Sequence, residues 1–184
     1  HRDTHTIPLV FDADFRHSDP TYHAEFHLLK QELEPVLLHI RHHYDKRPRL
    51  RSLQKKNGKA YAIRMILTRL KPGGIIPEHV DRNYSLTHCH RIHLPLQSDE
   101  GVSFSVGGET RHMAPGEIWE INNRRVHHVV NNSARPRIHL ITDWVIPGER
   151  CCCSARRYPN EPCSPERCEQ TDFMPAPCNC LEQH

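Results

Sequence analysis

The 184-residue chain carries 25 Lys/Arg against 22 Asp/Glu, a formal charge of +3, and is 36% hydrophobic. That length suits one domain and leaves little room for two independent hydrophobic cores. The near-balanced charge excludes a polybasic nucleic-acid arm or a strongly acidic tail, and apolar runs of only a few residues exclude a membrane helix of roughly 20. The opening apolar run, Ile7 to Phe11, is shorter than the about 7–15 residues of a signal-peptide core, so a cytoplasmic location is expected.

Residues 21–44 place Phe26, Leu29, Leu33, Val36, Leu37 and Ile40 at helical steps, and Pro35 is expected to start a second helix or kink the first. From Lys59 onward the texture changes to short β-type runs. These are Ala60 to Leu70, Cys89 to Leu96, Val102 to Val106, Thr110 to Met113, Glu117 to Ile121, Val126 to Val130 and Arg137 to Val145. Turn chemistry separates them, as at Lys71-Pro72-Gly73-Gly74, Gly107-Gly108, Asn122-Asn123 and Asn131-Asn132-Ser133. Strands at this spacing with no helices between them predict a mainly β domain over residues 1–149, a jelly roll buttressed by the N-terminal helices.

Residues 150–184 read as a separate Cys/Pro-rich tail. It holds seven of the eight cysteines (Cys151, Cys152, Cys153, Cys163, Cys168, Cys178 and Cys180) and shows no period of 2 or 3.6. A segment with so little apolar burial needs staples or stays disordered. Cys163 with Cys168, and Cys178 with Cys180, come near zinc-ligand spacings, which favours a zinc-stapled tail over a disordered or disulfide-linked one.

With 17 histidines in the chain, only a constellation can single out a ligand. The sharpest is Pro77-Glu78-His79-Val80-Asp81. In an extended segment residues i and i+2 share a face, so His79 and Asp81 would present an imidazole and a carboxylate to one point. A third ligand is available from Val126-His127-His128-Val129, whose two histidines face opposite ways if extended, so only one of them can join. Two histidines and one carboxylate leave adjacent metal positions open, the arrangement of non-haem Fe(II) oxygenases, whereas structural zinc is usually closed by four protein ligands. Arg137 follows after a turn and offers a fork for a carboxylate. In His90-Arg91-Ile92-His93-Leu94, Arg91 and His93 share a face opposite Ile92 and Leu94, which implies a polar inner surface. His139 and Asp143 share a strand face with Arg137 and read as supporting residues. His39, His42, His43, His88, His90 and His112 read as structural or solvent-facing.

The stretch from Leu70 to Val145, with LKPGGIIPEHVD, HRIHLPL and APGEIWEINNRRVHHVVNNSARPRIHLITDW in order, resembles the aspartyl/asparaginyl β-hydroxylase family of Fe(II)- and 2-oxoglutarate-dependent dioxygenases. The resemblance implies a double-stranded β-helix, with His79, Asp81 and His127 as catalytic metal ligands. His127 is chosen over His128 because the family pattern runs His-x-Val-x-Asn, here His127, Val129 and Asn131. It also implies that Arg137 pairs with the C5 carboxylate of 2-oxoglutarate and that Arg91 and His93 contact the cosubstrate. Animal members lack the carboxylate ligand, so Asp81 favours the bacterial-type branch; oxygenase-fold halogenases replace that carboxylate with a small residue to admit chloride, so Asp81 argues for hydroxylation. The implied activity uses Fe(II), 2-oxoglutarate and O2 to hydroxylate an amino-acid residue, of Asp/Asn type in a peptide or protein. Hydroxylation of a free amino acid such as proline is the alternative, and a non-enzymatic protein that senses or stores zinc or copper is the alternative from another class. No nucleic-acid or membrane partner is expected.

Overall fold

The computed structural model describes residues 2–13, 15, 20–81 and 84–149. The Cys/Pro-rich tail, and with it the expected zinc site, lies outside the described residues. Strands β1 (Thr4–Phe11) and β2 (Thr21–Tyr22) precede helices α1 (Ala24–Leu28), α2 (Lys30–Asp45) and α3 (Pro48–Asn57). Then come β3 (Tyr61–Leu70), β4 (Ile75–His79), α4 (Tyr84–Thr87), β5 (His90–Gln97), β6 (Val102–Val106), β7 (Glu109–Arg111), β8 (Trp119–Ile121), β9 (His127–Asn131) and β10 (Arg137–Val145). Among the described residues no helix is long and apolar enough to cross a membrane.

The strands form the expected mainly β jelly roll. A six-stranded sheet runs β2-β1-β3-β10-β5-β8, and a four-stranded sheet runs β4-β9-β6-β7. All the pairings are antiparallel, as short strands joined by tight turns require. The order is non-sequential because β4 leaves the large sheet after the Pro-Gly-Gly turn and pairs with β9 in the small one.

Pro35 lies inside α2 without ending it. The break comes earlier, at Leu29, where φ −99° and ψ 12° separate α1 from α2. A proline leaves the carbonyl four residues back without its partner; here that residue is Gln31, exposed like Pro35, so the interruption falls on the exposed side of the helix, which continues.

Apolar burial is divided between the two faces of the large sheet. Phe26, Leu33, Ile40, Tyr44 and Leu50 of the helices pack on its outer face against Met65, Ile92, Leu140 and Trp144. Inside the roll, Leu70, Val102, Phe104, Met113, Ile121 and Val129 form a smaller cluster. The two clusters share one sheet, so they are layers of a single domain rather than independent cores.

The inner face of the large sheet is polar. Cross-strand register sets Arg137 beside Leu70, His139 beside Thr68, and Asp143 beside both Arg64 and Arg91. These polar residues are buried, except Arg91, which is partly buried. Buried polar groups are costly unless they are hydrogen-bonded. So many on one sheet face mark that face as a site rather than a core.

Candidate metal centre and anion cradle

His79 ends β4, His127 opens β9, and the two are cross-strand partners. Their rings lie 4.1 Å apart, centroid to centroid. Asp81 follows β4 by two residues, and its backbone N–H donates to the Asn123 carbonyl at 3.1 Å. One ligand atom from each of His79, Asp81 and His127 lies within 4.8 Å of the others, and no further cluster of metal-ligating type occurs among the described residues.

Both imidazoles are oriented from behind. His79 Nδ1 lies 2.8 Å from the Pro77 carbonyl, and His127 Nδ1 lies 2.9 Å from the Arg125 carbonyl. A carbonyl can only accept, so each Nδ1 carries the proton and donates it. In the neutral rings Nε2 then holds the lone pair, the form a metal takes. His127 is 4% exposed, and burial lowers its pKa, which favours that neutral form. His128 points the other way, 3.6 Å from Glu78.

Asp81 is held from the side. Arg91 Nη1 donates to its Oδ2 at 2.8 Å and Asn123 Nδ2 donates to the same oxygen at 3.0 Å, while Oδ1 lies 3.9 Å from His79 Nε2. The other edge of Arg91 forks onto Asp143, with Nε to Oδ1 and Nη2 to Oδ2 both at 2.8 Å. Burial opposes the Arg91 charge, but Asp143 and Asp81 together raise its pKa.

Arg137 is in the opposite situation. It is 1% exposed, and no carboxylate among the described residues pairs with it. Its Nη2 donates to His139 Nδ1 at 2.7 Å and lies 3.5 Å from His93 Nδ1. Because His139 Nδ1 accepts, the proton of the neutral ring sits on Nε2. That atom, His93 Nε2 and Arg137 Nε are all buried without a hydrogen-bond partner. Burial pushes the Arg137 pKa down to about 9. Burial first, and Arg137 second, push both histidines well down, so at neutral pH the cradle is one cation flanked by two neutral rings. Two buried donors with no acceptor, Arg137 Nε and His139 Nε2, beside a buried cation suit an anion.

Phe104 joins the two halves. Its ring stacks parallel to His127 at 6.5 Å, meets His93 edge-on at 5.2 Å and lies 5.5 Å from the Arg137 guanidinium. It also lines an open cavity of about 330 Å³ with Met113, Trp119, Ile121 and Arg125.

Of the residues singled out in the sequence, His79, Asp81 and His127 converge on one point, and His93, Arg137 and His139 form the cradle. Arg91 stands behind the first group, engaged by two carboxylates, Asp81 and Asp143. Sequence reasoning did not select Phe104 or Asn123. Asn123 appeared only as half of a turn signal, and Phe104 only as an apolar strand residue.

A jelly roll with two histidines and a carboxylate around one point, beside a buried arginine cradle, defines the class of double-stranded β-helix oxygenases. The chain belongs to the aspartyl/asparaginyl β-hydroxylase family, whose model matches residues 25–147, more than half of the chain; it is a 2-oxoglutarate-dependent oxygenase. Among solved structures, the chain is similar in fold to an oxidoreductase of the 2OG-Fe(II) oxygenase family from Burkholderia pseudomallei, with TM-score 0.51, 17% identity, and coverage of 78% of this chain and 68% of that one. A predicted oxalate decarboxylase from Thermotoga maritima gives TM-score 0.38 at 15% identity over 46% of this chain and 67% of that one. A cupin domain from Bordetella pertussis gives 0.36 at 16% identity over 44% and 79%. No curated protein matches the chain in sequence.

Proposed function

We propose that the protein hydroxylates an amino-acid residue, of Asp/Asn type in a peptide or protein, with iron held by His79 Nε2, Asp81 Oδ1 and His127 Nε2. Arg137, with His139 and His93, holds the far carboxylate of 2-oxoglutarate. The carrying observation is the buried Arg137 cation, which lacks a carboxylate partner among the described residues and is linked through Phe104 to a group of two histidines and one aspartate. A closed structural metal site would need no such cradle.

When bound, ferrous iron with 2-oxoglutarate and O2 would supply C–H hydroxylation, with one oxygen atom going to the product and the other to the succinate left as 2-oxoglutarate loses CO2. The chain's own residues orient and exclude. The Pro77 and Arg125 carbonyls fix the imidazoles, Arg91 and Asn123 fix Asp81, and Phe104 forms an apolar wall between metal point and cradle. The cavity beyond Phe104 opens past the exposed Gly107, Glu109 and Arg111. The family match favours an Asp/Asn-type residue over a free amino acid such as proline, and that open edge leaves room for a peptide beside Phe104.

The test is succinate release from 2-oxoglutarate by the Fe(II)-loaded protein across panels of peptides and free amino acids, with products read by mass. A peptide that gains one oxygen in step with succinate supports the reading. Turnover confined to free amino acids overturns the peptide assignment, and absence of Fe(II)-dependent succinate release overturns the whole.

A further inference from the structure

We propose that Arg91 and Asn123 form a clamp that makes Asp81 a one-oxygen metal ligand, so that Arg91 is a positioning residue for the metal. The inference rests on the metal site proposed above.

Asp81 is the member of the triad that no strand ladder holds. β4 ends at His79, and beyond it the backbone of Asp81 is fixed by the bond to the Asn123 carbonyl. Its carboxylate would rotate freely about χ2 without further restraint. The restraint comes from two donors on one oxygen: Arg91 Nη1 and Asn123 Nδ2 both bond Oδ2. A carboxylate oxygen has two lone-pair sites, so Oδ2 is filled and Oδ1 is left facing His79.

Each arm of the clamp is anchored elsewhere. Asn123 is 1% exposed, and its amide also donates to the Leu86 carbonyl at 2.9 Å. The plane of Arg91 is set by the fork onto Asp143, itself 1% exposed. β10 therefore fixes β5's arginine, which fixes Asp81. Outer partners of metal ligands are worth about 10–100-fold in metal affinity, the scale expected here.

Co(II) serves as the probe. Its dissociation constant is titrated through its visible absorption for the intact protein, Arg91→Gln, Arg91→Lys and Asn123→Ala, with 2-oxoglutarate affinity then measured by calorimetry at saturating Co(II). The expected result is Co(II) binding weakened about tenfold or more in Arg91→Gln and Asn123→Ala. The absorption band should change shape as the second carboxylate oxygen becomes available, and Arg91→Lys should restore part of the affinity. In Asn123→Ala, whose side chain bonds only Asp81 and the Leu86 carbonyl, the 2-oxoglutarate affinity at saturating Co(II) should stay nearly unchanged. Asn123→Ala leaves the Arg91–Asp143 pair intact, so it reports on the clamp even where an Arg91 variant unfolds. Folded Arg91→Gln and Asn123→Ala proteins with unchanged Co(II) affinity and band shape overturn the clamp alone. An intact protein that binds no Co(II) overturns the metal site and the clamp with it.

Discussion

Arg91 and Arg137 occupy neighbouring strands of the same sheet face and would be interchangeable by composition, yet their electrostatic settings are opposite. Arg91 is neutralised twice over, and Arg137 is buried with its pKa pressed down to about 9 by desolvation. A group whose charged form is disfavoured by folding destabilises the ligand-free protein at neutral pH. Arg137→Met should therefore raise the unfolding midpoint of the unliganded protein, by roughly 2–4 °C per kcal/mol recovered for a chain of this size. The same variant should lose the stabilisation that 2-oxoglutarate gives the intact protein. Differential scanning calorimetry with and without 2-oxoglutarate checks both, and a lower midpoint in the unliganded variant would show that Arg137 has a stabilising partner after all. The His79-x-Asp81 pair was readable because a two-residue step along an extended segment projects both groups to one side. The state of Arg91 was not readable. It depends on Asp143, 52 positions away, which arrives only through the β10–β5 register.

At the scale of elements, the β3–β4 turn aims the site. Gly73 N–H donates to the Asn131 carbonyl at 2.8 Å, and Asn131 N–H returns a bond to Gly74 at 3.0 Å. The Asn131 amide also donates to the Leu70, Lys71 and Arg135 carbonyls, so one buried side chain ties the turn to the end of β9. A Cβ added at Gly74 would sit 2.9 Å from the Lys71 carbonyl oxygen, a backbone atom that cannot step aside. Gly74→Ala should lower the urea midpoint by about 1–3 kcal/mol of stability and loosen the His79–His127 pairing, read as weaker Co(II) binding. An unchanged urea midpoint and Co(II) affinity would mean that the turn absorbs the methyl. Strands β6 and β10 match the runs predicted from the sequence residue for residue, because apolar alternation and flanking turn residues mark both ends. β1 and α3 carried no such signal. Pro8 interrupts the apolar run of β1, and α3 offers only Leu50 and the partly buried Leu53 to the core, a pair too short to read as an apolar stripe.

Helical layer and roll are joined by a chain of titratable groups. Tyr44 of α2 donates to Glu120 of β8 at 2.9 Å, and His90 of β5 lies 2.6 Å from Glu120 and from Glu149. Burial works against a charge on His90, yet the two carboxylates outweigh it and raise its pKa from 6.5 to about 9. Such a group stabilises the fold fully below pH 6.5, and that contribution is lost as the pH rises through about 9. The unfolding midpoint of the intact protein should exceed that of His90→Gln at pH 6, and the gap should close by pH 10. A gap independent of pH would assign His90 a packing role only. Because Glu120 is partly open to solvent, added salt should narrow the difference as well.

The polar lining of the large sheet has one more implication. Its opposite face carries most of the apolar contact with the helices, so folding strength and chemistry reside on two sides of a common wall. Exchange of a lining residue disturbs few of the contacts that hold the wall up. A scaffold divided in this way can be retailored toward a new reactant from within while its architecture is sustained from without.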